Sequence, residues 1–153
     1  MYSRQEASQL RQEFWTTFGH YMHPLSSADG VKINWVNYKT GQPHISFRME
    51  AAVDAAYIGI VLSHADAEIR MLFYEQFAQL KHLLHNELGE EWLWEPETKD
   101  EQGRPISKIY TRLCDVNLFR REDWSSLISF FKSRIIALDQ FWDTAKYVFD
   151  ALR

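Results

Sequence analysis

Four residues carry the most binding chemistry: Trp35 and Asn37 in "INWVNYK", Arg48 in "HISFRME" and Gly59 in "AYIGIVLSH". If these stretches are strands and "TGQP" is a four-residue hairpin loop, Lys39 faces His44 and Trp35 faces Arg48. One face of that sheet carries Val36, Tyr38, Ile45, Phe47 and Met49, and continues as Ile58, Ile60 and Leu62. The opposite face aligns Trp35, Arg48 and Gly59, with Asn37, Ser46 and Tyr57 nearby. A glycine inside a strand leaves room for a ring or a ligand to approach closely. Arg48 would then bind an anion while the rings stack a planar group. A purely structural arrangement uses the same residues: the Trp35 ring covers Gly59, and Arg48 pairs with a helix carboxylate.

Catalytic patterns are weaker. Metal-dependent nucleases need strand carboxylates followed by a lysine to hold the ion and orient water. "AYIGIVLSH" has no carboxylate; Glu50 and Asp54 only flank it, without the lysine. His20 with His23, and His82 with His85, are spaced to share a helix face. Zinc needs three or four ligands, and no cysteine pair or His-Glu-x-x-His accompanies them. Cys114 has no protease or redox motif around it, and there is no phosphate-binding glycine loop or nucleophile elbow. The sequence therefore nominates no catalytic residue, metal ligand or cofactor.

The elements that must position these residues follow from periodicity. "SRQE" at Ser3 is a capping box, and Leu10, Phe14, Phe18 and Tyr21 follow at helical spacing until Pro24. "VKINWVNYK", "HISFRME" and "AYIGIVLSH" read as three strands. A helix starts at Ser63, with Asp66 three residues on, and Gly89 stops it. "EEWLWEPE" and "PISKIYTRL" form a hairpin around "KDEQGR"; Trp92 and Trp94 share a face that could grip a partner but is expected to pack under a helix. A last helix runs from about Glu122. Trp124, Ile128, Phe131, Ile135, Leu138, Trp142, Ala145, Phe149 and Leu152 make its heptad-like buried stripe. Phe130, Phe141 and Tyr147 lie off that stripe, so they are expected on an apolar patch that seams a homodimer.

The resulting order is α-β-β-β-α-β-β-α. It predicts an α+β fold with an antiparallel or mixed five-stranded sheet packed by three main helices. At 153 residues one domain spanning 1–153 is expected. Aromatics make up 15% of the chain, so rings should dominate its packing. A net charge of -4 with scattered basic residues weighs against dedicated nucleic-acid binding. The single cysteine, the polar start and the lack of any long apolar run point to a cytoplasmic protein that does not enter a membrane.

"FWTTFGHYMHP", "INWVNYKTG", "FRME", "LFYEQF", "LGEEWLWE" and "ISFFKSRIIALDQFW" closely resemble the bacterial domain-of-unknown-function family numbered 4268. The likeness runs from about Ser3 to Leu152. The resemblance implies a module found alone or as a C-terminal portion of longer proteins, some with nuclease-like N-terminal regions. It brings no agreed catalytic residues. The expectation is a non-catalytic interaction or small-ligand-binding protein, working as a homodimer, with a protein partner or with a small anionic ligand. The alternative is a degenerate or divergent restriction-endonuclease-like enzyme, suggested by the opening order α-β-β-β-α-β.

Overall fold

The computed structural model describes residues 3–152. Helix α1 (Arg4–Met22) begins at the expected capping box: the Ser3 hydroxyl accepts from the Glu6 amide, and the Glu6 carboxylate accepts from the Ser3 amide. It ends just before Pro24. Strands β1 (Ile45–Ala51) and β2 (Ala55–Leu62) follow, then helices α2 (Ala67–Gln79) and α3 (Lys81–Leu88). Strands β3 (Leu93–Lys99) and β4 (Pro105–Cys114) form the second hairpin, and helix α4 (Trp124–Asp150) completes the described fold.

The class is α+β, as expected, with three differences of detail. The sheet has four strands rather than five, ordered β1-β2-β4-β3 and antiparallel throughout. Residues 31–39, expected as the first strand, instead belong to an irregular connection between α1 and β1, with one isolated bridge from Ser26 to Lys32. The cause is local. The Asn34 side chain accepts from the Val36 and Asn37 amides, bending the backbone into a turn where a strand would need those amides in a ladder. The third difference is the helix after β2, which breaks at Leu80 (φ -97, ψ 13) to give four helices in place of three. Its cap is Asp66, whose carboxylate accepts from the Glu68 and Ile69 amides, whereas the Ser63 amide donates to the His44 carbonyl at the end of the β1–β2 pairing. Gly89 stops α3 in the left-handed conformation, as expected. With its first strand gone, the order no longer matches the α-β-β-β-α-β that suggested a nuclease.

One face of the sheet is covered by helices. Phe47, Ile58, Ile60 and Ile109 share a single apolar cluster with residues of all four helices. Rings set its texture: Phe77 of α2 lies 4.5 Å from Phe149 of α4, and Phe14 of α1 packs edge-on against Trp124 and Phe131. Every member of the α4 stripe from Trp124 to Phe149 is buried. Trp94 packs against Tyr74 of α2, and its indole N–H donates to His85 of α3 at 3.4 Å, so the tryptophan hairpin sits beneath helices.

Candidate functional site

A concavity with converging polar groups lies between α4 and the connection from α1 to β1. That connection spans residues 23–44 with little regular structure, long enough in a compact fold to draw functional interest. Individual hydrogen bonds hold it. The Trp35 indole N–H donates to the Leu25 carbonyl at 3.0 Å, and the Trp142 indole of α4 donates to the Thr40 carbonyl at 2.8 Å. Asp139, 5% exposed in mid-helix, is the central anchor. One of its oxygens accepts from the Tyr38 hydroxyl at 2.6 Å and the other from the Ala28 amide at 2.7 Å. A buried carboxylate is tolerated because both oxygens are engaged. Burial and the bond to Asp139 together raise the Tyr38 pKa well above the ordinary tyrosine value, so the phenol stays a donor.

These anchors leave a cleft of about 360 Å³ above Asp139. Its lining mixes charges: Asp29 and Lys39 come from the connection and Asp143 and Lys146 from α4, beside Ile33, Asn34 and Asn37. The Ser27 hydroxyl donates to Asp29, which lowers its carboxyl pKa and keeps it ionised. Lys146 lies 3.7 Å from Asp143, so one rim pair is already half neutralised. No histidine or cysteine lines the cleft, and among the described residues no group of three or more His, Cys, Asp or Glu is placed to hold a metal ion.

The four nominated ligand residues are divided between two places. Arg48 and Gly59 are direct partners across β1 and β2, as the expected row requires. Trp35 is not with them: it is buried under the connection, and Gly59 instead faces Tyr110 of β4. A Cβ at Gly59 would stand 2.6 Å from the Tyr110 Cβ, so the glycine serves close strand approach to Tyr110 rather than cover by Trp35. Among the described residues Arg48 pairs with no helix carboxylate; its Nε donates to Ser46 at 3.3 Å on the exposed side of the sheet. Asn37 lies in the Asp139 cleft.

The aromatics expected on an exposed patch are corrected for two of three positions. Phe130 and Phe141 are buried, because α4 is covered on more than one side: Phe141 stacks on Phe77 of α2, and Phe130 packs against Phe131 beneath the Arg134 guanidinium. Tyr147 alone is exposed, at 65%. Sequence reasoning missed Tyr38, Asp139 and Lys146. An aspartate amid the apolar residues of the final helix was the available signal, since a buried charge requires partners.

No helix among the described residues is long and apolar enough to cross a membrane. The family model described as Domain of unknown function (DUF4268) matches residues 10–146. Searches of curated proteins and of solved structures found no match. The chain belongs to the DUF4268 family.

Proposed function

We propose that this member of the DUF4268 family is a non-catalytic small-ligand-binding module whose ligand occupies the cleft between the 23–44 connection and α4. The observation that carries this reading is the Asp139 clamp, which commits a buried carboxylate to shaping a concavity. Its volume of about 360 Å³ falls in the range of small-molecule sites. Rim groups of both signs favour a small zwitterion of amino-acid size, its amine toward Asp29 and Asp143 and its acid group toward Lys39 or Lys146. The non-catalytic reading rests on the same geometry: Asp139 has both oxygens occupied, Tyr38 is held protonated, and no other buried acid or base lines the cleft.

Thermal-shift screening against amino acids and small polar acids and amines tests it. A ligand should raise the melting temperature of the native chain and lose that effect in Lys146→Glu and Asn37→Leu. Any hit that stabilises both variants as well as the native chain places the ligand elsewhere and refutes the cleft.

A further inference from the structure

The second face of the sheet is not covered by helices, and its composition is unlike an ordinary solvated face. Arg48, Tyr57, Gly59, Lys108, Tyr110 and Arg112 occupy adjoining positions on three strands: Arg48 pairs with Gly59, Gly59 with Tyr110, and Tyr57 with Arg112. The two tyrosine rings are diagonal neighbours, with centroids 6.5 Å apart and planes 47° apart. Gly59 contributes no side chain between them and lets the strands approach closely. The Lys108 ammonium lies 4.3 Å from the Tyr110 ring centroid. Among the described residues, none of Arg48, Lys108 and Arg112 forms an ion pair with a carboxylate. Glu50 and Glu95 share the face, but Glu95 accepts from the Tyr110 hydroxyl at 3.0 Å rather than neutralising a cation.

We propose that this open sheet face binds single-stranded nucleic acid, with bases stacked on Tyr57 and Tyr110 and phosphates contacted by Arg48, Lys108 and Arg112. Unpaired cations interleaved with half-exposed rings complement a polymer that alternates phosphates with planar bases. Flatness selects a strand over a free nucleotide. The hollow over Gly59 holds about 120 Å³, well below the size of sites that enclose a small molecule. A single nucleotide would gain one ring and one cation there, whereas a strand crossing the face gains both rings and all three cations. Duplex is excluded as the ligand because its bases are stacked inward, out of reach of the tyrosines. The chain's net charge of -4 is a sum over the whole molecule, and at about 0.1 M salt solvent screens the charges that lie more than about 10 Å from this face.

Fluorescence anisotropy with labelled oligo-U and oligo-dT of about 10 nucleotides is the direct test. Binding should appear at low salt and fall with a log–log salt slope of about -2, as expected for three phosphate contacts on a single strand. Tyr57→Ala and Tyr110→Ala should each weaken it about tenfold, and Arg112→Ala should shallow the slope by about 0.7. Each variant's melting curve must match the native chain's for its binding result to count, and Arg48→Ala, at an exposed position, serves where a tyrosine variant melts early. Asn37→Leu, in the separate cleft, should leave oligonucleotide binding unchanged, so the two sites fail independently. Absence of binding at low salt, equal affinity for a duplex or for free uridine monophosphate, insensitivity to the tyrosine and arginine variants, or displacement of the oligonucleotide by an equimolar acidic peptide would each overturn the proposal.

Discussion

Helix α4 and the 23–44 connection are neighbours of similar length held by opposite means. The helix has 27 residues, satisfies its backbone internally, and buries one residue after another along its apolar sides. The connection leaves most of its backbone outside any ladder and depends on a few side-chain bonds, above all those made by Tyr38, Trp35 and Trp142 of α4. The contrast shows where each kind of stability resides. Burial is shared among many positions, so the helix should fail only when its interior is disrupted. Discrete hydrogen bonds concentrate stability in single residues, so the connection should detach while the rest of the fold remains.

The strongest way to break this contrast is Phe141→Glu. The side chain is fully buried against Phe77, and an unpaired carboxylate there should cost about 5 kcal/mol, enough to unfold the chain. Circular dichroism should show collapse of the whole transition; a folded protein with altered association would instead restore the exposed-patch view of Phe141.

Asp139→Ala should come next, at about 3 kcal/mol, because it strands the Tyr38 hydroxyl and the Ala28 amide away from partners. Hydrogen exchange should show lost protection in residues 25–42 with α4 still protected. Uniform loss through α4 would mean that the two regions unfold as one unit.

A polar anchor outside the connection gives a control. Arg134 of α4 forks onto both oxygens of Glu90, each at 2.9 Å, and the Trp92 indole donates to the same carboxylate. Burial opposes ionisation of Glu90, but these bonds outweigh it and lower its pKa below the ordinary carboxylate value. A lowered folded pKa contributes stability that is present above the unfolded value near 4.5 and is lost as pH falls through the folded one. Glu90→Gln should cost about 1 kcal/mol at pH 7 and flatten the acid limb of a urea-midpoint-against-pH profile. An unchanged limb would show that other carboxylates govern acid unfolding.

The smallest effect belongs to Trp35→Phe, which keeps most of the buried ring and loses the bond to Leu25. About 0.5 kcal/mol is expected by urea denaturation, with exchange increased only near residues 25–36. A loss well above 2 kcal/mol would show that the connection, too, is held chiefly by burial.

Legibility followed the same division. Where a signal is local and repeated, the expectation and the structure agree. The capping box at Ser3, the left-handed stop at Gly89, the hairpin around "KDEQGR" and the buried stripe from Trp124 to Phe149 are all cases of this. The Arg48–Gly59 pairing was legible too, because a tight connection leaves few registers that keep Phe47 and Ile60 on one face. "VKINWVNYK" misled because β-branched and aromatic alternation describes a half-buried segment, and an anchored loop satisfies that description as well as a strand does. Asn34 was the contrary signal, since its side chain competes for the amides a ladder would use.

The sequence by itself determined the α+β class, most element boundaries, the stripe of α4 and the absence of the usual nuclease motif, because each depends on neighbours within a few turns or one hairpin. Only the tertiary structure decided that Asp139 and Tyr38, 101 positions apart, share a hydrogen bond, that Phe141 is interior, and that Arg48 shares an open face with Tyr57 and Tyr110. The physical reason is that periodicity specifies how much of a helix or strand is buried, whereas the identity of what buries it, or leaves it open, is fixed only when distant segments pack together.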